Sequence, residues 1–157
     1  MQKVIPFLWF NDQAEAAARY YVSIFKKSKI KKISRYGEAG PGPKGTVMCV
    51  NFVIEGQEFI ALNGGPQFTF TPAISFFVDC KTQKEVDTLW EKLSRGGEKL
   101  QCGWLRDKYG LSWQIVPSGL IEMLSDKNGK KSGRAMQAMM QMNKLDLKKI
   151  QRAHAGR

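Results

Sequence analysis

The side chains able to do chemistry are few and widely spaced. Gln114 is a lone amide flanked by Trp113 and Ile115 in an otherwise apolar run. In that setting an amide suits one of two tasks. It can be a buried group satisfied by neighbouring backbone, or it can orient a ligand at a site where few polar groups fix a mostly apolar molecule. Asn63 carries the same ambiguity, tilted toward structure because Asn before Gly64-Gly65 suits a turn. By strand alternation Phe7 and Trp9 share a face with Ile5, and Ser75 and Phe77 share one with Ala73. Aromatic faces of this kind stack on flat apolar molecules or fill a core.

Nucleophiles and metal ligands are poorly represented. Cys49, Cys80 and Cys102 are odd in number and have no metal-ligand spacing, which fits reduced packing thiols and a cytoplasmic location. Cys102, before Gly103, is the best placed of the three for reactivity. The single histidine, His154, lies far from it in a basic tail, so no Cys-His pair is visible. Asp107 sits at a turn, where a carboxylate is ordinarily solvated or a cap.

These groups need elements to position them. Val4–Phe10 reads as a short strand with Pro6 near its start. Asp12 and Glu15 then resemble a capping box, and Ala16, Ala17, Tyr20, Tyr21, Ile24 and Phe25 follow at helical spacing. Ile30–Tyr36 alternates like a strand, 37–45 is a Gly/Pro-rich loop, and Thr46–Ile54 with Glu58–Leu62 forms a hairpin. Ala73–Cys80 is another strand. Thr82 and Glu85 open a second helix with an apolar stripe of Val86, Leu89, Trp90 and Leu93, stopped by Gly96-Gly97. Three short strands follow, near Lys99–Gln101, Trp104–Asp107 and Ser112–Val116. The order strand, helix, three strands thus occurs twice. At an offset of 70 residues Asp12-Gln13-Ala14-Glu15 falls on Thr82-Gln83-Lys84-Glu85, and Tyr20 on Trp90. This indicates duplication. After Pro117 come a helical turn at Leu120–Leu124, a polar linker at Asp126–Gly133, and one or two helices carrying Met136, Met139, Met140, Leu147 and Ile150.

A chain of 157 residues can bury a sizeable core, and 43% hydrophobic content with mean hydropathy −0.35 suits a water-facing globular protein. No apolar run approaches the roughly 20 residues of a membrane span. The start lacks the long apolar region of a secretion signal. The net charge of +11 is localised: residues 26–35 carry +6 and residues 126–157 carry +7, leaving −2 for the rest. With no nucleic-acid motif beside it, this charge reads first as a solvated face and a basic tail, with nucleic-acid binding and a pocket rim that attracts anionic ligands as the alternatives.

The duplicated βαβββ string, the opening Pro6-Phe7-Leu8-Trp9-Phe10 and the closing 107–115 segment Asp-Lys-Tyr-Gly-Leu-Ser-Trp-Gln-Ile together resemble the vicinal oxygen chelate superfamily. That superfamily includes glyoxalase I, bleomycin-resistance proteins and extradiol dioxygenases. Within it the chain is most similar to the PhnB-like branch, which often carries the label 3-demethylubiquinone-9 3-methyltransferase. The 35–42 stretch Arg-Tyr-Gly-Glu-Ala-Gly-Pro-Gly, the 61–66 stretch Ala-Leu-Asn-Gly-Gly-Pro, Cys102-Gly103-Trp104 and the Met-rich tail carry that closer likeness.

The resemblance implies an α+β fold: two tandem βαβββ modules, residues 3–66 and 73–117 of a single domain 1–157, and a helical basic tail, 118–157. It further implies sheets curved around a cleft, and a homodimer. The family's metal positions fall near Ile5, Asn63, Ala73 and Gln114. Two of these have no donor and two are neutral amides, so no metal and no cofactor is expected. The ligand-binding set expected from the frame is Phe7, Trp9, Asn63, Ser75, Phe77, Trp104 and Gln114, with an unknown small apolar or aromatic molecule as partner. The alternatives are a metal-independent enzyme on a small substrate and an interaction protein that uses the basic tail. The glycines sit after strands without a following helix, which does not match the turn that methyl transfer from S-adenosylmethionine uses.

Overall fold

Alternation of side chains along extended backbone decides which face of each sheet is covered. The computed structural model describes every residue from Met1 to Arg157, and the chain divides into two units, Met1–Phe70 and Thr71–Arg157. In the first unit, β1 (Phe7–Phe10) is followed by α1 (Ala14–Ile24), β2 (Lys29–Arg35), β3 (Val47–Ile54) and β4 (Gln57–Asn63). The sheet order is β1-β4-β3-β2, with β1 and β4 parallel and the other pairs antiparallel. Leu8, Phe10, Phe59, Ala61, Val50, Phe52 and Ile54 are buried on the face that receives α1. There Tyr21 stacks on Phe52 at 6.3 Å, and Phe52 on Phe59 at 5.3 Å. The alternate residues face the other way: Trp9, Leu62, Cys49 and Ser34 form one register row, and Phe7, Ile60, Asn51 and Lys32 the next.

The second unit repeats the plan. β5 (Ser75–Cys80), α2 (Gln83–Ser94), β6 (Glu98–Lys99), β7 (Trp104–Arg106) and β8 (Ser112–Pro117) give the order β5-β8-β7-β6, with β5 and β8 parallel. Phe76, Trp113 and Leu105 share a row toward α2, whose Val86, Leu89, Trp90 and Leu93 are buried. The expected capping box forms: Thr82 Oγ1 accepts from the Glu85 amide at 3.2 Å, while Glu85 Oε2 accepts from the Lys81 amide at 2.8 Å.

Two local expectations are corrected. Asp12 does not cap α1. The Ala14 amide is instead satisfied by Asn63 Oδ1 at 2.8 Å, from the end of β4, a partner 49 residues away that local rules cannot see. The polar linker is shorter than expected, because Asn128 caps a helix, α4 (Gly129–Met140), by accepting from the amides of Lys130 and Lys131. Gly129 and Gly133 therefore lie inside a helix, its cap offsetting part of their unfavourable propensity.

The tail folds as α3 (Leu120–Leu124), α4 and α5 (Leu147–Ala155). Val116, Leu120, Ala135, Leu145 and Ile150 form its core, with Met123, Leu124, Met139 and Met142 against them. Met136 and Met140 stay exposed. Backbone hydrogen bonds from Cys102 to Met142 and from Gly103 to Asn143, both 2.8 Å, fasten the tail to the loop before β7 within the same unit. Gly103 is obligatory there: its φ is +81°, and a Cβ would lie 2.9 Å from the Ile115 carbonyl.

Candidate functional site

In the second unit the three registered residues Phe77, Gln114 and Trp104 lie side by side on the face turned away from α2. Phe77 is 47% exposed, Gln114 and Trp104 are half-buried. Gln114 Nε2 donates to Ser75 Oγ at 2.9 Å. This contact fixes the amide plane and leaves Oε1 as an acceptor with no protein partner. The sheet therefore presents two aromatic rings flanking one oriented acceptor. Such a surface suits a flat molecule that carries a hydrogen-bond donor.

In the first unit Phe7 is 56% exposed and Trp9 half-buried, on the face opposite α1. Trp9 is held tightly. Its Nε1 donates to the Gly65 carbonyl at 2.9 Å, Phe68 meets its ring edge-on at 5.0 Å, and Gly64 packs on the indole. A Cβ at Gly64 would come 2.4 Å from Trp9 Cε2, so the glycine is needed for close approach. Asn63 is engaged at both ends of its amide, accepting from Ala14 and donating to the Val47 carbonyl at 3.1 Å. It is a brace between β4, α1 and β3. The expected ligand set thus separates by unit: Ser75, Phe77, Trp104 and Gln114 come together in one, Phe7 and Trp9 lie on the open face of the other, and Asn63 is held in structure.

Of the two roles expected of Asp107, the capping one holds, and the carboxylate is buried rather than solvated. Its Oδ1 accepts from the amides of Tyr109 and Leu111 at 2.8 and 3.1 Å, and Oδ2 accepts from Trp113 Nε1 at 2.9 Å. It builds the turn that aligns β7 and β8, and with them Trp104 and Gln114.

Sequence reasoning missed a pocket at the end of the first sheet. It is about 730 Å³ and is lined by the loop after β1, the start of α1, the Gly/Pro loop around Pro41–Pro43, and Asn63 to Gln67. The signal was present in two glycine-rich stretches. Gly40 and Gly42 lie against the ring of Tyr36, whose hydroxyl donates to the Asn63 carbonyl at 2.6 Å. Those contacts fold the loop over the sheet end and leave the hollow beside it.

The donor chemistry does not fit a metal at the family positions. Ile5 and Ala73 carry no donor, both ends of the Asn63 amide are taken, and Gln114 is neutral and bound to Ser75. No three His, Cys, Asp or Glu residues gather elsewhere to hold one. His154 instead pairs with Asp126 at 2.8 Å. Burial pushes the Cys80 thiol up to about 12 and raises Cys49, so neither is an activated nucleophile. The residues do not fit a methyl-donor cofactor either. The strand-to-helix turns before α1 and α2 contain no glycine, and the glycine-rich loops lead from strand to strand or out of β4.

Two four-stranded sheets, each with a parallel outer pair and a helix on one face, define two tandem βαβββ modules. The chain belongs to the family described as 3-demethylubiquinone-9 3-methyltransferase, whose model matches residues 2–116. The PhnB protein of Bacillus cereus, which carries the same label, is 43% identical over 74% of this chain and 100% of that one, with a TM-score of 0.69. Protein PA1353 of Pseudomonas aeruginosa is 18% identical over 74% of this chain and 98% of its own, and its TM-score of 0.62 reflects a shared fold. No curated protein matches the chain. The family model ends at Val116, so α3, α4 and α5 lie beyond it. No helix is long and apolar enough to cross a membrane.

Proposed function

We propose that this PhnB-like protein binds a small apolar or aromatic molecule, without a catalytic metal, on the open sheet face that carries Gln114. One observation supports the reading above the rest: Ser75 holds the Gln114 amide between Phe77 and Trp104 while Oε1 stays free. That oxygen is not buried, so the donor of a ligand can reach it. The matching ligand is planar, stacks on an aromatic ring and donates one hydrogen bond. A cytoplasmic location and a homodimer belong to the same reading. Calorimetric titration with 2-naphthol in the presence of EDTA tests it. Saturable binding supports the reading; binding that requires a divalent ion refutes it.

A second reading gives the tail a polyanion partner. Both of its carboxylates are engaged, Asp126 with the Asn128 amide and His154, and Asp146 with the Lys149 amide. Set against the nine Lys and Arg of residues 126–157, they leave a seven-unit positive excess. Salt-dependent binding to RNA or DNA, lost on deleting those residues, is its signature.

A further inference from the structure

Trp104, one of the two rings beside Gln114, follows two residues in the left-handed region, Cys102 at φ +59° and Gly103 at φ +81°. That conformation is uncommon for a residue with a Cβ, and it persists only where the surroundings fix it. What fixes this pair comes from the tail. The link between α4 and α5, residues 141–146, lays its backbone against it. The Met142 carbonyl accepts from the Cys102 amide and the Asn143 carbonyl from the Gly103 amide, both at 2.8 Å. Leu145 is fully buried and packs on Gly103, where a Cβ would meet Leu145 Cδ1 at 2.8 Å. The same link is tied to the start of α2. Gln83 Nε2 donates to the Leu145 carbonyl at 2.8 Å, and Gln83 Oε1 accepts from the Leu147 amide at 2.9 Å. Lys144 Nζ pairs with Asp87 Oδ1 at 3.0 Å.

We infer that this link is a strap that positions Trp104, so that the tail sets the stacking half of the Gln114 site while Ser75 separately sets its acceptor. The inference rests on the Gln114 face being the ligand site proposed above. The strap lies outside residues 2–116, which the family model matches, yet it holds the backbone on which β7 begins. Gln83 is then a positioning residue: it belongs to α2, which covers the opposite face of the sheet, and it acts on the ligand only through the strap. Such coupling is reciprocal, so a ligand stacked on Trp104 tightens the strap in turn.

The test uses the full chain and Gln83→Met, which keeps the side-chain length and removes both hydrogen bonds to the strap. Without ligand, amide hydrogen exchange at Cys102 and Gly103 should quicken about tenfold in the variant. The Trp104 indole N–H resonance should shift or broaden. 2-Naphthol and 2-methoxynaphthalene should both bind about threefold more weakly, because stacking is loosened. The preference for 2-naphthol should survive, because Ser75 still holds the Gln114 acceptor. In the wild type, saturating 2-naphthol should slow exchange at the same two amides. Asn63→Ala, which costs stability in the first unit, should leave both affinities and the Trp104 resonance in place, so that a general loss of stability is told apart from a loss of positioning. Unchanged exchange at the two amides, an unmoved Trp104 resonance or wild-type affinities in Gln83→Met would each overturn the proposal. So would a lost preference, which would place the strap's effect on Gln114, or ligand-independent exchange in the wild type. Failure of both molecules to bind the wild type overturns the Gln114 reading instead, and the Trp104 resonance alone then decides whether the strap positions the ring.

Discussion

Gln114 and Ser75 are 39 residues apart in the chain and joined by a 2.9 Å hydrogen bond across the parallel pair β5 and β8. Because the bond uses Nε2, the carbonyl end of the amide is aimed and unpaired. Removing the hydroxyl in Ser75→Ala leaves the amide able to rotate at a half-buried position. Its effect on stability should stay within about 1 kcal/mol in urea denaturation, while affinity for 2-naphthol falls about threefold.

Asn63 should behave in the opposite way, costing stability and not ligand binding at the Gln114 face. Its side chain satisfies the amide of Ala14, which is fully buried, and the carbonyl of Val47. Asn63→Ala orphans both, and should lower unfolding free energy by about 2–3 kcal/mol in urea denaturation.

Asp107 should be costlier. Three donors converge on one buried carboxylate, including the indole of Trp113. Asp107→Ala should destabilise by about 3 kcal/mol or more and shift Trp113 fluorescence, since the turn that aligns β7 with β8 loses its centre.

The way these residues were legible differs. The βαβββ repeat was readable because its signals are local: alternation in the strands, 3.6-residue spacing in the helices, and a Thr82–Glu85 box that forms as written. The cap of α1 was not readable, because Asp12 obeys the local rule while a residue from β4 does the work. Asp107 was readable as a possible turn cap but not as a buried one, because sequence spacing does not show that Trp113, six residues on, folds its N–H back onto it. For the site, Gln114 was conspicuous as a polar residue in an apolar strand, but its partner depends on strand register. The pocket at the end of the first sheet was hidden in glycines whose role is to admit the rings of Tyr36 and Trp9.

Gly64→Ala tests that last point. Its Cβ would meet the Trp9 indole at 2.4 Å, and neither the ring, tied to the Gly65 carbonyl, nor the loop can yield freely. A loss of about 1–3 kcal/mol is expected in thermal or urea unfolding, with altered Trp9 emission.

Alkaline stability should carry the mark of Cys80. Its thiol is buried and its folded pKa is raised from 9.0 to about 12, so between those values the folded state holds a proton that the unfolded state releases. The contribution is fully present below pH 9 and is lost as pH rises toward 12. Cys80→Ala should flatten that part of the stability profile, and native Cys80 should resist a thiol reagent at pH 8 until the protein unfolds.

The most direct measurement compares 2-naphthol with 2-methoxynaphthalene, which lacks the donor, on the wild type and on Gln114→Leu. The wild type should prefer 2-naphthol by about fivefold, the worth of one hydrogen bond to Oε1, and Gln114→Leu should bind the two equally. An undiminished preference in Gln114→Leu, or no binding of either molecule to the wild type, would contradict the account.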